Sequence, residues 1–227
     1  MTAVRRFARE NGLGLAFGSA FLLALAGQAI SGHAEFNNQL LAEDLQSISF
    51  ASYLTTSDFA VDVTENWQSE YLQFFLYIYA TVWLLQRGSP ESKGLTKAGP
   101  GSDRDQLVGP HAGPDSPRWA RMPGVRQALY ARSLGLTMAT IFLLCWFAQS
   151  ISGVAAFNEQ HLRQLQAPVS WAGYVSTADF WNRTLQNWQS ELLAIASMAV
   201  FSVYLRQRGS PESKPVGAAH SATGVEG

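Results

Sequence analysis

Glu70 and Glu191 close two copies of the pentapeptide Asn-Trp-Gln-Ser-Glu, residues 66–70 and 187–191, and each copy leads directly into an apolar stretch. If those stretches cross a membrane, the glutamates lie about one turn inside its outer interface, where ionisable groups are uncommon because charge leaves water at a high cost. Two such carboxylates could hold a cation or pass a proton, with burial favouring their neutral form. On a helix Asn66, Glu70, Gln73 and Tyr77 share one face; the same face in the second copy carries Asn187, Glu191, Ala194 and Met198, so only its outer half is polar in both. The candidate outer site is therefore Asn66, Gln68, Glu70, Asn187, Gln189 and Glu191. The simpler expectation is that the carboxylates accept hydrogen bonds from a neighbouring outer helix or from helix N-termini. Gln28 and Gln149 either complete the site or bind helices together at about 1 kcal/mol each.

A second repeated motif, Gln-Arg-Gly-Ser-Pro-Glu-Ser-Lys, occupies residues 86–93 and 207–214 without a change. Its residue types suit a helix exit: Arg87 near lipid phosphate and the negative helix end, Gly88 in a left-handed cap, and Ser89-Pro90-Glu91 opening a new short helix. Capping accounts less well for Ser92 and Lys93, so Arg87, Glu91, Lys93, Arg208, Glu212 and Lys214 form a candidate cytoplasmic contact motif. Other chemistry finds no set of residues. His33 and Glu35 have the spacing of a metal-ligand fragment, but Val154 and Ala156 replace them in the second copy, and His111 and His161 have no consistent partners. No phosphate loop, Ser-His-Asp arrangement or Cys-His pair is present. The expectation is a non-enzyme with no metal and no cofactor.

Both motifs belong to one long repeat. Residues 28–93 and 149–214 align without a gap at an offset of 121, with 31 identities in 66 positions. Asn-Trp-Gln-Ser-Glu at the outer start of a span, followed by the octapeptide after an apolar helix, resembles the DUF6766 family, a bacterial membrane-protein family named for having no known function. The resemblance covers residues 13–93 and 134–214 as two tandem copies. It implies a multi-span bacterial inner-membrane protein and brings no catalytic residues with it.

The elements that must position these motifs follow from hydropathy and charge. Leu13–Ile30 and Leu134–Ile151 are 18-residue stretches free of Asp, Glu, Lys and Arg, enough to cross a hydrocarbon core of about 30 Å at about 1.5 Å per residue. Tyr71–Leu85 and Leu192–Leu205 are shorter and need the turn bearing Glu70 or Glu191 to complete a span. Arg5, Arg6, Arg9 and Ala24-Leu25-Ala26 also match a signal peptide. The mid-chain counterpart, where Leu134, Gly135 and Leu136 match Leu13, Gly14 and Leu15, argues instead for a retained span.

Of the 16 Lys and Arg residues, 14 lie in segments 1–11, 87–132 and 206–227, which places both termini and the centre in the cytoplasm. The copies are then parallel. Nine Gly or Pro in residues 94–117 predict a flexible linker. The basic and aromatic segment 118–132 reads as an anchor ahead of the third span. Thr56 and Thr177 are expected to cap the returning helices after a break marked by Pro168 and by the small residues of 49–52.

The expected architecture is all-α, with four transmembrane helices in two parallel two-span repeats and helical outer segments. Its units are a first repeat at 1–93, the linker at 94–117, a second repeat at 118–214 and a disordered tail at 215–227. The expected partners are the lipid bilayer and an envelope protein or a second copy; a net charge of −1 offers no nucleic-acid surface. A structural or interaction role in the bacterial cytoplasmic membrane is favoured over ion or proton conduction by Glu70 and Glu191, because Phe74, Phe75, Leu76 and Ile78 continue the first helix with almost no polar group.

Overall fold

The computed structural model describes residues 2–226, which are helical throughout their regular structure with no strand. The helices are α1 (Ala3–Glu10), α2 (Gly12–Ala42), α3 (Phe50–Tyr53), α4 (Ser57–Trp83), α5 (Val125–Tyr130), α6 (Ser133–Arg163), α7 (Trp171–Tyr174) and α8 (Ala178–Tyr204). Adding 121 to the bounds of α2, α3 and α4 gives those of α6, α7 and α8 at both ends. The repeat seen in the residues is thus a repeat of structure.

Among the described residues α2 and α6 are long and apolar enough to cross a membrane. A core helix of a water-soluble protein would hide such a surface, yet only 6% of the apolar window of α2 and 17% of that of α6 is buried. Helix α4 lies along α6 of the other copy and against α8, so the copies pack together. The reason is visible in the side chains: α2 meets α4 through Phe21 and Trp67, with ring centres 5.9 Å apart, while α6 and α8 are held apart by Phe142, Trp146, Phe180 and Trp188.

Each long outgoing helix ends in the same backbone turn. The Leu45 N–H donates to the Leu40 carbonyl and the Gln166 N–H to the His161 carbonyl, both at 2.8 Å, with Asp44 and Leu165 in left-handed conformation at φ 56° and 57°. This is the six-to-one closure of a Schellman cap. Of its six residues, 40–45 and 161–166, the two copies share only Leu41 and Leu162.

Beyond the cap, single conserved side chains set the return. Asn37 accepts the Ile48 N–H at 2.8 Å and donates to the Ile48 carbonyl at 3.1 Å; Asn158 does the same to Val169 at 2.8 and 2.9 Å. His33, which looked like a ligand fragment, contacts the same Ile48 carbonyl at 2.8 Å. Ser49 and Ser170 cap α3 and α7, so the break lies before residues 49–52. Thr56 and Thr177 cap α4 and α8 as expected, accepting from Phe59 and Phe180 N–H groups.

Tyr53 and Tyr174, 3% and 1% exposed, then turn back onto Gly32 and Gly153 of the outgoing helices. A Cβ on Gly153 would lie 2.5 Å from the Tyr174 hydroxyl, so only glycine allows this contact. Phe36 and Phe59 flank Tyr53, and Phe157 and Phe180 flank Tyr174, with ring centres 5.3 to 5.6 Å apart. Burial of these four rings and two tyrosines makes a small apolar core in each outer segment.

On the opposite side, Trp119 packs edge-on against Tyr130, and with Leu129 and Leu136 lines an apolar groove of about 360 Å³ ahead of α6. Residues 218–224 of the tail contact the turn at Gly88 and the side chain of Lys214, as described below.

Candidate functional site

The C-terminal ends of α2 and α6 and the N-terminal ends of α4 and α8 enclose a cavity of about 370 Å³ lined by both copies. Its walls carry Glu35, Glu43, Asp58, Asp62, Glu159 and Asp179 against two cations, Arg163 and Arg183. Arg163 bridges the copies, pairing with Glu43 at 3.2 Å and with Glu159 on its own helix. Arg183 pairs with Glu65 of the first copy at 3.2 Å and lies 3.6 Å from Asp179. Asp58 and Asp62 face the cavity without an ion pair among the described residues. Burial pushes Asp58, Asp62 and Glu65 above the usual carboxylate range, and Arg183 acts against it at all three. Burial and the nearby Asp179 push the Tyr174 hydroxyl up to about 12, so it is a neutral donor at any ordinary pH.

The pentapeptide residues sit one to two turns inward of this cavity. Gln68 is fully buried: its Oε1 accepts the indole N–H of Trp188 at 2.8 Å and its amide donates to the Glu65 carbonyl. That bond joins the two copies at an otherwise aromatic level. Asn66 and Asn187 donate to the Asp62 and Arg183 carbonyls on their own helices, and Gln189 is exposed. Glu70 is exposed and Glu191 half-buried, and neither is hydrogen-bonded among the described residues. Gln28 is half-buried, while Gln149 is fully buried and reaches Thr184 at 3.5 Å. The polar site brought together by folding is the outer cavity, whose residues lie mostly outside the repeated motifs. Residues 32–65 and 153–186 hold eight acids against Arg163 and Arg183, and that imbalance is the signal in the sequence that could find it.

The octapeptides form turns, not helix caps. Helices α4 and α8 end at Trp83 and Tyr204, before the motif begins. The Ser89 N–H donates to Gln86 O at 3.1 Å and the Ser210 N–H to Gln207 O at 3.2 Å, with Gly88 and Gly209 at φ 87° and 79° in the third position, where such a turn demands a left-handed residue. No helix starts at Ser89-Pro90-Glu91, because Ser92 draws the chain back: its hydroxyl accepts the Gln86 N–H at 2.9 Å and donates to Lys93 O. Ser213 repeats both bonds with Gln207 and Lys214. The lysines then tether the segments that follow. Lys93 donates to Gly99 O at 2.6 Å, and Lys214, 1% exposed, donates to the carbonyls of Ala219, His220 and Ala222.

Arg87 and Arg208 remain exposed. Glu91 and Glu212 meet carboxyl to carboxyl, which with burial as the larger cause pushes Glu91 up to about 7. Among the described residues no three His, Cys, Asp or Glu side chains cluster as a metal site would.

One family model, described as a domain of unknown function, matches residues 4–225, so a single match runs through both copies and the linker. The chain belongs to the DUF6766 family. No curated protein and no solved structure matches it.

Proposed function

We propose that this DUF6766 protein is a four-span component of a bacterial cytoplasmic membrane, with two parallel two-span copies paired about the membrane normal and both termini inside. It serves as a structural or interaction protein of the envelope, without enzymatic chemistry, and its acidic outer crown is the contact surface for a cationic group of an envelope partner. The observation that carries this reading is the near-complete exposure of the apolar length of α2 and α6, which lipid accommodates and water does not. Helices α4 and α8, about 40 Å long at about 1.5 Å per residue, exceed a core of about 30 Å, so they can cross beside α2 and α6 with their acidic first turns outside it.

Conduction through Glu70 and Glu191 is the competing mechanism. Inward of the crown, Phe142, Trp146 and Trp188 pack ring on ring with centres 5.7 to 6.2 Å apart, which supports a closed interaction module over a pore.

Two experiments test this. In a Cys145→Ser background, Leu45→Cys and Leu165→Cys should react with a membrane-impermeant maleimide on intact cells, whereas Leu107→Cys and Val216→Cys should react only after permeabilisation; the reverse pattern, or recovery of the chain from the soluble fraction, overturns the topology. In proteoliposomes the native chain should pass neither protons nor common cations. Flux abolished by Glu70→Gln/Glu191→Gln in a folded variant would make the protein a conductor.

A further inference from the structure

The two inner turns are identical in sequence and different in surroundings. Gly88, Ser89 and Pro90 are buried; Gly209 and Pro211 are exposed, and a Cβ built on Gly209 would meet nothing within 4 Å. The C-terminal tail makes much of the difference. The Gly88 N–H donates to Thr223 Oγ1 at 2.9 Å, the Gly224 N–H donates to the Ser89 carbonyl at 3.0 Å, and the His220 carbonyl lies against Gly88. The second copy's segment thus straps the first copy's turn. At the bare turn the Gly209 N–H has no partner among the described residues, and the Ser210 carbonyl takes the Ser213 N–H of its own loop at 3.2 Å.

The linker starts along the same route. Lys93 holds Gly99 O as Lys214 holds His220 O, and residues 99 and 220 are counterparts at the offset of 121. The Gly99 N–H reaches the Val82 carbonyl at 2.7 Å, and His220 Nδ1 reaches the equivalent Val203 carbonyl at 3.1 Å. Three residues later the linker places Ser102 in the register of Thr223, and Asp103 offers a backbone N–H in the register of Gly224. The paths part after residue 99: Lys214 also holds the carbonyls of Ala219 and Ala222 whereas Lys93 stops at Gly99, and the Ser102 hydroxyl donates to the Asp105 carboxylate at 2.7 Å and accepts the Asp105 N–H at 3.2 Å on an exposed surface.

We propose that the Gly209–Ser210 turn is a peptide-docking site for an extended segment presenting a hydroxyl and then a backbone N–H, and that its occupant is the chain's own linker at Ser102–Asp103. Docking gives Gly209 the acceptor that Gly88 already has. It exchanges the exposed bonds between Ser102 and Asp105, whose groups water can satisfy, for bonds at a turn that becomes covered. The tether from Lys93 spans the same nine residues as that from Lys214 to Thr223, so closure is intramolecular and proceeds at high effective concentration. In the closed state each copy's exit segment straps the other copy.

The test uses the full chain in detergent micelles with Cys145→Ser. Ser102→Cys with Ser210→Cys should form an intrachain disulfide on mild oxidation, as should Thr223→Cys with Ser89→Cys. A control pair that links while the linker pair does not overturns the proposal. Linkage of the linker pair only between chains also overturns it, by showing a second copy as the occupant. Amide exchange checks the same point without new cysteines: the Gly209 N–H should exchange up to about tenfold faster in Ser102→Ala than in the native chain. Equal rates overturn the assignment.

Discussion

Glu91 is placed so that the folded chain prefers it protonated. Burial, and secondarily the facing Glu212 carboxyl, raise it from an ordinary 4.5 to about 7. A carboxyl raised on folding contributes stability that is fully present below its unfolded value and is lost as pH rises through the folded one. The chain should therefore lose stability between about pH 4.5 and about pH 7 and stay level above it. A displacement of this size corresponds to about 3 kcal/mol at about 1.4 kcal/mol per pH unit. Glu91 is only partly buried, and solvent screening lowers the effect to about 1–2 kcal/mol. For a chain of this length that is a fall of about 2–8 °C in Tm.

Thermal unfolding followed by helical circular dichroism in one detergent, across that pH range, measures it. Glu91→Gln should flatten the profile and keep the acid-side stability at pH 8. Glu212→Gln should flatten it less, since burial of Glu91 remains. Asp58, Asp62 and Glu65, raised by burial, slope the same way and are untouched by either change. A native profile that rises with pH through this window, or a slope that survives in Glu91→Gln, refutes the reasoning.

Other perturbations have equally definite outcomes. Leu165 holds a left-handed φ of 57° while 96% exposed, so Leu165→Gly should raise Tm by the equivalent of about 1 kcal/mol, and a fall would show that the cap does not form. Gly32→Ala should destabilise and be rescued by Tyr53→Phe, because the closest clash is with the hydroxyl; Gly153→Ala should resist rescue by Tyr174→Phe, since ring carbon Cε1 also lies at 2.8 Å. Trp188→Phe strands the buried Gln68 carbonyl oxygen and should cost about 1–3 kcal/mol in unfolding, with Gln68→Leu recovering part of it. Lys214→Ala should lower Tm more than Lys93→Ala, because Lys214 ties three carbonyls.

The residues alone determined much of the secondary architecture. Apolar runs set α2 and α6, threonine caps started α4 and α8, and the offset of 121 foretold that the helices of the two copies would end at matching positions. These are local or periodic effects, readable wherever a side chain acts on its own helix or on the solvent around it. The shared Schellman turn at Asp44 and Leu165 was not readable, because backbone closure there needs no common side chain. Nor was the job of Ser92 and Lys93, whose partners are main-chain groups six residues away. The candidate site was legible only as an acidic outer segment. Which carboxylates converge, that Arg163 and Arg183 cross between copies, and that Gln68 rather than Glu70 is buried at the junction all depend on the packing of α4 against α6 and α8. That packing is decided by side-chain volumes facing one another across the two copies, a property of pairs distant in the chain that only the tertiary structure brings together.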